Sequence, residues 1–151
     1  MKAKLLIMAV AFLATAFSFS QNEFITTWKT DNPGTSTANS ITIPAIGTGY
    51  NYNVDWGDGS LSTNIIGSAA YSYKSPGEYQ VRIWGDFPRI YFNNAGDKDK
   101  ILSIDQWGTN AWSSMANAFY GCSNLQLTAT DVPNLSNVTS MNFMFTNCSA
   151  L

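Results

Sequence analysis

A repeat near the end of the chain is the feature that most constrains its fold. Trp112–Leu125 aligns on Val138–Leu151 without a gap, and six of the 14 aligned positions are identical. We call these segments the first and second repeat units; they share the frame Ser-Met-x-x-x-Phe-x-x-Cys-Ser-x-Leu. A period in the twenties predicts stacked coils, each made of one strand and a return segment.

The frame also suggests local structure within each unit. Leu125–Leu127 is a predicted strand, and Leu102–Ile104 is the predicted strand of the preceding coil. The Met and Phe of each unit are four residues apart, which favours a short helical turn that buries both side chains. The positions that we expect to form the structural motif are Met115, Phe119, Cys122, Leu125, Met141, Phe145, Cys148 and Leu151.

This frame resembles the BspA-like leucine-rich repeats of bacterial surface proteins. Asn137–Leu151 is nearly the consensus unit of that family, and Asn117–Leu125 matches it again. The resemblance covers the chain from about Ser103 onward and implies a right-handed solenoid that binds host or matrix macromolecules outside the cell. We therefore assign residues 87–151 to a solenoid cap and incomplete repeats. In the cap we expect a strand over Phe87–Phe92 and a solvated loop over Asn93–Lys100, because an open solenoid end would expose apolar core.

Short alternating segments indicate a different architecture for residues 21–86. In Tyr50–Trp56 aromatic and apolar residues alternate with amides and a carboxylate, which is the period of a strand with one buried face. Glu78–Trp84 alternates in the same way, with Tyr79, Val81 and Ile83 inward. Several short strands at this spacing, separated by glycine and proline turns, predict a β-sandwich.

Two motifs in this region resemble those of PKD domains. Val54–Ser60 resembles the family's Trp-Asp-Phe-Gly-Asp-Gly-Ser signature, and Tyr73–Val81 resembles its closing Tyr-x-x-Pro-Gly-x-Tyr-x-Val segment. The resemblance implies an immunoglobulin-like sandwich that serves as an extracellular spacer or adhesion module without catalysis. The whole chain is thus expected to be mainly β, with a short PKD-like sandwich followed by the start of a leucine-rich-repeat solenoid. The expected structural residues of the motifs are Asp55, Gly57, Asp58, Gly59, Pro76, Gly77 and Tyr79.

Asp55 and Asp58 are the one carboxylate pair whose spacing suggests a chemical site. They lie three residues apart around a glycine turn, where Asp side chains normally accept bonds from backbone N–H groups. Calcium binding near Asp55 is the alternative, since Asn51 and Asn53 precede it as in the first half of a calcium loop. Trp56, however, occupies the position where such a loop needs glycine. The sequence favours a structural turn over a metal site, and either over catalysis.

The two cysteines occupy equivalent positions of the two repeat units. The N-terminal export signal described below would allow a disulfide between them, and an even number of cysteines is consistent with one. Side chains at equivalent positions of stacked coils nevertheless point the same way, which is unfavourable for disulfide geometry. We favour buried thiols for Cys122 and Cys148, with a disulfide as the alternative and a metal site as a remote third.

The N-terminus has the pattern of an export signal. Lys2 and Lys4 precede the apolar run Leu5–Phe17, and Ser18 and Ser20 are the small residues before a predicted cut at Gln21. This run is shorter than the ~20 residues needed to span a bilayer. Residues 1–20 are therefore predicted to be a secretory signal peptide, and no later run is long enough for a membrane span.

Composition narrows the function classes. The chain has 8 basic and 10 acidic residues and no histidine. Nucleic-acid binding is not expected because the basic footprint is missing. Sites that need histidine, such as Ser-His-Asp triads, are excluded. About a third of residues 21–151 are Ser, Thr or Asn. No cofactor or metal is predicted, and the composition favours an exported β-rich protein over a cytosolic enzyme.

The leading hypothesis is a secreted or surface-displayed bacterial adhesion protein whose repeat surface binds an extracellular protein or glycan. The alternative is a carbohydrate-binding region of a larger extracellular enzyme, with Trp107, Trp112 and Tyr120 as a platform on which sugar rings stack. Exposed aromatic rings would favour the alternative, and buried rings the leading hypothesis. An independent enzyme is the third and most remote hypothesis. We also expect further repeats after Leu151, so that this chain would expose Met141, Met144 and Phe145.

Overall fold

Residues 21–151, which the computed structural model describes, form eight β-strands and contain no helix, so the fold is mainly β. The predicted signal peptide lies outside the described residues. Across residues 21–151, no helical segment could serve as a membrane span. The strands are β1 (Phe24–Lys29), β2 (Ser40–Ile43), β3 (Asn51–Asp55), β4 (Leu61–Ile65), β5 (Ala69–Ser72), β6 (Glu78–Asp86), β7 (Ile101–Gln106) and β8 (Gln126–Leu127).

Six of these strands form one sheet in the order β4-β3-β6-β1-β7-β8, and β2 pairs with β5 in a second, two-stranded sheet. β1 lies inside the large sheet and is antiparallel to both β6 and β7. β8 runs parallel to β7, with Ser103 opposite Gln126 and Ile104 opposite Leu127. The segments predicted as strands at Leu102–Ile104 and Leu125–Leu127 therefore lie side by side.

Side-chain alternation explains how the two sheets share one core. Tyr52 and Val54 of β3 are buried, as the period of two requires, and their neighbours Asn53 and Asp55 are half-exposed. Ile41 and Ile43 of the small sheet belong to the same buried cluster as these residues. Burial of side chains of this size contributes roughly 1.5–3 kcal/mol each, so the shared core holds the two sheets together.

The expected strand over Phe87–Phe92 is not observed. Phe87, Ile90 and Phe92 are buried, a spacing that does not have the period of two of a strand. Pro88 has no N–H to donate, and the amide of Tyr91 donates to Pro44 O at 3.2 Å instead of to a neighbouring strand. The segment is therefore an irregular, buried connection.

The expected helical turns in the repeat units are also wrong. Asn117 and Phe143, which are equivalent positions, both have a φ of 57°, in the left-handed region that a right-handed turn cannot include. The chain makes successive tight turns instead, in which the amide of Ala118 donates to Met115 O and that of Cys122 donates to Phe119 O. Met115 and Phe119 are nevertheless both fully buried, as the frame predicts.

Asn93–Lys100 was expected to be a solvated loop, and two of its charged residues are instead buried. Lys100 Nζ donates to the carbonyl oxygens of Ser36, Thr37 and Ser40 at 2.8–3.0 Å. Asp97 accepts backbone N–H bonds from the loop between β1 and β2 and from β2 itself. Burial lowers the pKa of Lys100, although the charge of Asp97 opposes that shift. These two side chains organise the loop between β1 and β2.

The sheet and the core both continue across the predicted domain boundary between residues 86 and 87. β1 comes from the first predicted domain and β7 from the second, yet they pair with each other. Phe24 of β1 packs against Trp107 and Trp112, with ring centroids 5.8 and 5.0 Å apart. Within residues 21–151 the two sequence regions therefore share strands and core residues.

Candidate functional site

The turn between β3 and β4 is built by two carboxylates, Asp55 and Asp58 of the Gly-Asp-Gly motif. Asp55 Oδ1 accepts the N–H of Gly57 at 2.9 Å, and Asp58 Oδ1 accepts that of Ser60 at 2.9 Å. Gly57 has a φ of 81°, and a Cβ there would collide with the carbonyl oxygen of Gln80. The motif residues therefore have a structural role in this turn.

An aromatic stack supports the turn from inside. Trp56 stacks on Tyr71 with centroids 4.8 Å apart, and Tyr73 stacks on Tyr79 at 3.7 Å. The Tyr71 hydroxyl donates to Asp58 Oδ2 at 2.9 Å. Partial burial of Asp58 would raise its pKa, but the bonds from Ser60 and Tyr71 outweigh that effect and lower it. The sequence did not predict this bond, because Tyr71 lies on β5 and Asp58 in the turn between β3 and β4.

The segment Tyr73–Val81 makes a turn that leads into the start of β6. The amide of Gly77 donates to Thr30 Oγ1, and the amide of Thr30 donates to Gly77 O, both at 3.0 Å. The Tyr79 hydroxyl donates to Ser75 O at 2.8 Å and so fastens the turn that contains Pro76. Among residues 21–151, no cluster of three or more acidic, Cys or His side chains is close enough to hold a metal ion.

The repeat units contact each other through a regular series of backbone hydrogen bonds. Four amides of the first unit donate to four carbonyls of the second at 2.8–3.0 Å, and donor and acceptor have the same separation in sequence in all four pairs. Between residues 87–100 and the first unit, the amides of Phe92, Asn93 and Asn94 donate to the first unit, whereas the amide of Ser113 donates back to Pro88 O. The pairs are Met115 to Ser140, Asn117 to Asn142, Phe119 to Met144 and Gly121 to Thr146.

Both cysteines are free thiols in the structure and both are buried. Cys148 Sγ lies 3.1 Å from Phe119 O and donates a hydrogen bond to it. Burial raises the pKa of both thiols, and for Cys122 the neighbouring Cys148 adds to that effect. A raised pKa keeps the thiols protonated and therefore poorly nucleophilic at neutral pH.

The second repeat unit is less buried than the first. Leu125 is fully buried, but the equivalent Leu151 is 53% exposed. Met141 is 54% exposed, whereas Met144 and Phe145 are half-buried against the core. Phe145 stacks on Phe119 with centroids 5.5 Å apart. The expected exposure is thus clear at Met141 and partial at Met144 and Phe145.

The proposed aromatic platform is not on the surface. Trp107 and Trp112 are buried and pack edge to face on each other with centroids 6.0 Å apart. Tyr120 is half-buried and stacks on Phe143 at 5.9 Å. The tryptophans fill the core, so their faces are not available to stack on a sugar ring.

A polar groove that the sequence analysis did not identify lies near the start of β1. It consists of two adjoining recesses of about 450 and 430 Å³, both lined by Asn22 and Thr109, and we call it the Asn22 groove. Trp84, Asp86 and Asn110 line the smaller recess. A sequence signal was present, because the inward alternation of β6 places Trp84 on the outer, polar face.

The larger recess of the Asn22 groove is shaped by two carboxylates with defined partners. Asp131 accepts the amides of Trp107 and Gly108 at 2.8–3.1 Å. Asp105 accepts bonds from the hydroxyls of three residues and from the Gln80 amide; burial alone would raise its pKa, but these bonds lower it. Both carboxylates therefore present fixed oxygen atoms at the groove. The three hydroxyl donors are Thr27, Ser103 and Thr128.

In comparisons with known proteins, no family model, no curated protein and no solved structure matches the chain.

Proposed function

We propose that the chain is a secreted or surface-displayed binding protein without catalytic activity. In this proposal residues 21–86 form a PKD-like, immunoglobulin-like sandwich, and residues 87–151 form the cap and first coils of a leucine-rich-repeat solenoid. The exposed surface of the coils binds an extracellular protein or glycan. The predicted signal peptide provides the route of export.

The backbone bonds between the repeat units are the observation that supports this proposal most strongly. Four bonds with one constant separation in sequence are the pattern of stacked repeats, in which every coil contacts its sequence neighbours. Such stacks present equivalent residues of successive coils side by side on an extended surface. Ser113 and Thr139 are one such pair, at equivalent positions of the two units and both exposed.

A glycan ligand at the Asn22 groove is the second candidate function. Half-buried Trp84 lies beside Asp86 and Asn110 at an open recess. An aromatic face with convergent carboxylate and amide groups has the chemistry for an uncharged sugar, because the ring packs on the apolar face and its hydroxyls donate to the oxygens. This site would replace the platform of Trp107, Trp112 and Tyr120.

One binding experiment separates the two candidates. Residues 21–151 would be tested by biolayer interferometry against purified matrix proteins and neutral oligosaccharides. We expect the double variant Ser113→Arg/Thr139→Arg to weaken binding at least tenfold, because it adds bulk and charge to the repeat surface. Trp84→Ala should leave binding unchanged.

If Trp84→Ala weakened binding and the double variant did not, the ligand would be assigned to the Asn22 groove. Trp84→Phe should then retain most of the affinity. Ile66→Ala is the matched control, since Ile66 is 80% exposed and belongs to neither surface. Binding that none of these substitutions changes would contradict both candidates.

A further inference from the structure

The Asn22 groove continues into a third recess of about 150 Å³. The third recess shares four lining residues with the middle one, whose volume is about 430 Å³. The middle recess in turn shares Asn22 and Thr109 with the largest, whereas the largest and the third have no lining residue in common. The three recesses therefore follow one another, and we call them together the recess row. The residues common to the middle and third recesses are Gly85, Asp86, Asn110 and Ala111.

The junction between the middle and third recesses presents two oxygen acceptors on a fixed backbone. Gly85 has a φ of 99°, and a Cβ there would lie 2.8 Å from Asn51 O, so no side chain can fill this point. Asn110 Nδ2 donates to Phe87 O at 2.7 Å, and its Oδ1 accepts no bond from residues 21–151. Asp86 is exposed, and within the same residues its carboxylate has no hydrogen-bond or ion-pair partner. Both acceptors are thus available to hydroxyl groups of a ligand.

The charged side chains that line the recess row are all acidic. Asp105 and Asp131 line the largest recess, and Asp86 lines the other two. No Lys or Arg of residues 21–151 is among the lining residues of the three recesses. These charges would repel carboxylate or sulfate groups on a ligand. The recess row therefore favours uncharged sugars over acidic ones.

We propose that the recess row binds a linear, uncharged oligosaccharide of at least three sugar units, one in each recess. The inference rests on the second candidate function, a glycan at the Asn22 groove, and adds the length and the charge of the ligand. The central unit packs on half-buried Trp84, and its hydroxyls and those of the third unit donate to Asp86 and to Asn110 Oδ1. Affinity grows with chain length until the row is filled, because each added unit belongs to a chain that is already held.

The first test measures affinity against chain length. Isothermal titration calorimetry on the chain without its predicted signal peptide would compare β-linked glucose and mannose oligosaccharides of one to five units. We expect affinity to rise at least tenfold from one unit to three and to change less than twofold beyond three. Thr130→Arg, which fills the largest recess, should weaken binding of three units at least fivefold and leave binding of two units unchanged. Thr63→Arg is the matched control, since Thr63 is also exposed and lines none of the three recesses.

The second test measures charge selectivity at constant chain length. A trimer of β-linked mannuronic acid should bind at least tenfold more weakly than the mannose trimer. Asp86→Asn should reduce that difference at least threefold, because the amide keeps an acceptor oxygen and removes the charge. Asp86→Ala should weaken binding of the mannose trimer more than Asp86→Asn does, and circular dichroism would verify that both variants are folded.

Two results would overturn the inference about length and charge. One is equal affinity for one unit and for three, and the other is equal affinity for the mannuronic and mannose trimers. If Trp84→Ala still weakened binding in either case, the second candidate function would stand without the inference. Failure of every glucose and mannose oligosaccharide to bind would overturn both, and it would leave the proposal for the repeat surface unchanged.

Discussion

The Gly-Asp-Gly turn and the repeat units both carry conspicuous sequence motifs, but their hydrogen bonds differ in reach. In the turn, Asp55 and Asp58 each bond an amide two positions along the chain. In the repeats, the amides of the first unit bond carbonyls of the next unit. A local motif therefore contains its own partners, whereas the burial of a repeat residue depends on the neighbouring unit. Met115 and Met141 show this directly, since one is fully buried and the other is 54% exposed.

The largest expected effect tests this difference within the repeats. Phe119→Ala should lower the free energy of unfolding by about 3–5 kcal/mol, because Phe119 is fully buried between Phe92 and Phe145. Phe145→Ala, at the equivalent position, should lower it by no more than about half as much, since that side chain is half-buried. Urea denaturation measures both. Equal losses of unfolding free energy would contradict the view that the neighbouring unit determines how much each phenylalanine contributes to stability.

A smaller effect is expected at Lys100, whose partners are also distant in sequence. Lys100→Met should destabilise the protein by about 3 kcal/mol, because it removes the donor of three carbonyls and leaves Asp97 buried without a nearby cation. Lys98→Met is the matched control. Lys98 is half-buried and donates to Asp99 and to Gly121 O, and its loss should change stability by about 1 kcal/mol or less. Similar losses in thermal denaturation would refute the structural role of Lys100.

The smallest effect is expected at the local motif. Asp58→Asn should cost about 1 kcal/mol at neutral pH, because Asn can replace the bond to Ser60 but not the acceptor for Tyr71. The pKa of Asp58 is lowered, so its stabilisation is fully present above the unfolded pKa of about 3.9 and is lost as the pH falls through the lower folded pKa.

The wild type should therefore lose more stability than Asp58→Asn as the pH falls from 6 to about 3. Thermal denaturation across that range measures the difference. Parallel curves for the two proteins would show that the carboxylate is not held by these bonds. Unchanged ligand binding by Asp58→Asn would agree with a structural turn, and lost binding at unchanged stability would identify the turn as a site.

Sequence periodicity predicted the elements whose pattern is local. The mainly β class is confirmed, and β3 and β6 lie within two residues of the predicted segments Tyr50–Trp56 and Glu78–Trp84. β4, with exposed Leu61 and half-buried Ile65, was missed because it lies at the edge of the sheet, where the alternation is weak. The irregular path of Phe87–Phe92 was missed because its burial follows from packing against distant residues.

The candidate site was harder to predict than the fold. Trp107 and Trp112 had two interpretations, with core packing favoured and a binding platform as the alternative, because aromatic residues suit either and sequence alone does not distinguish the two. The Asn22 groove is lined by residues that are far apart in the sequence, such as Asn22, Trp84 and Asp131. No short spacing links these residues, so only the three-dimensional structure brings them together.

The central position of β1 has a consequence for how the molecule gains and loses its structure. Because β1 bonds β6 on one side and β7 on the other, neither sequence region can lose its order without exposing Phe24 and Trp28 to water. We expect a single unfolding transition for residues 21–151, and insoluble products when the gene is divided between codons 86 and 87. Truncated or fused versions of this protein should therefore keep residues 21–151 together as one cooperative unit.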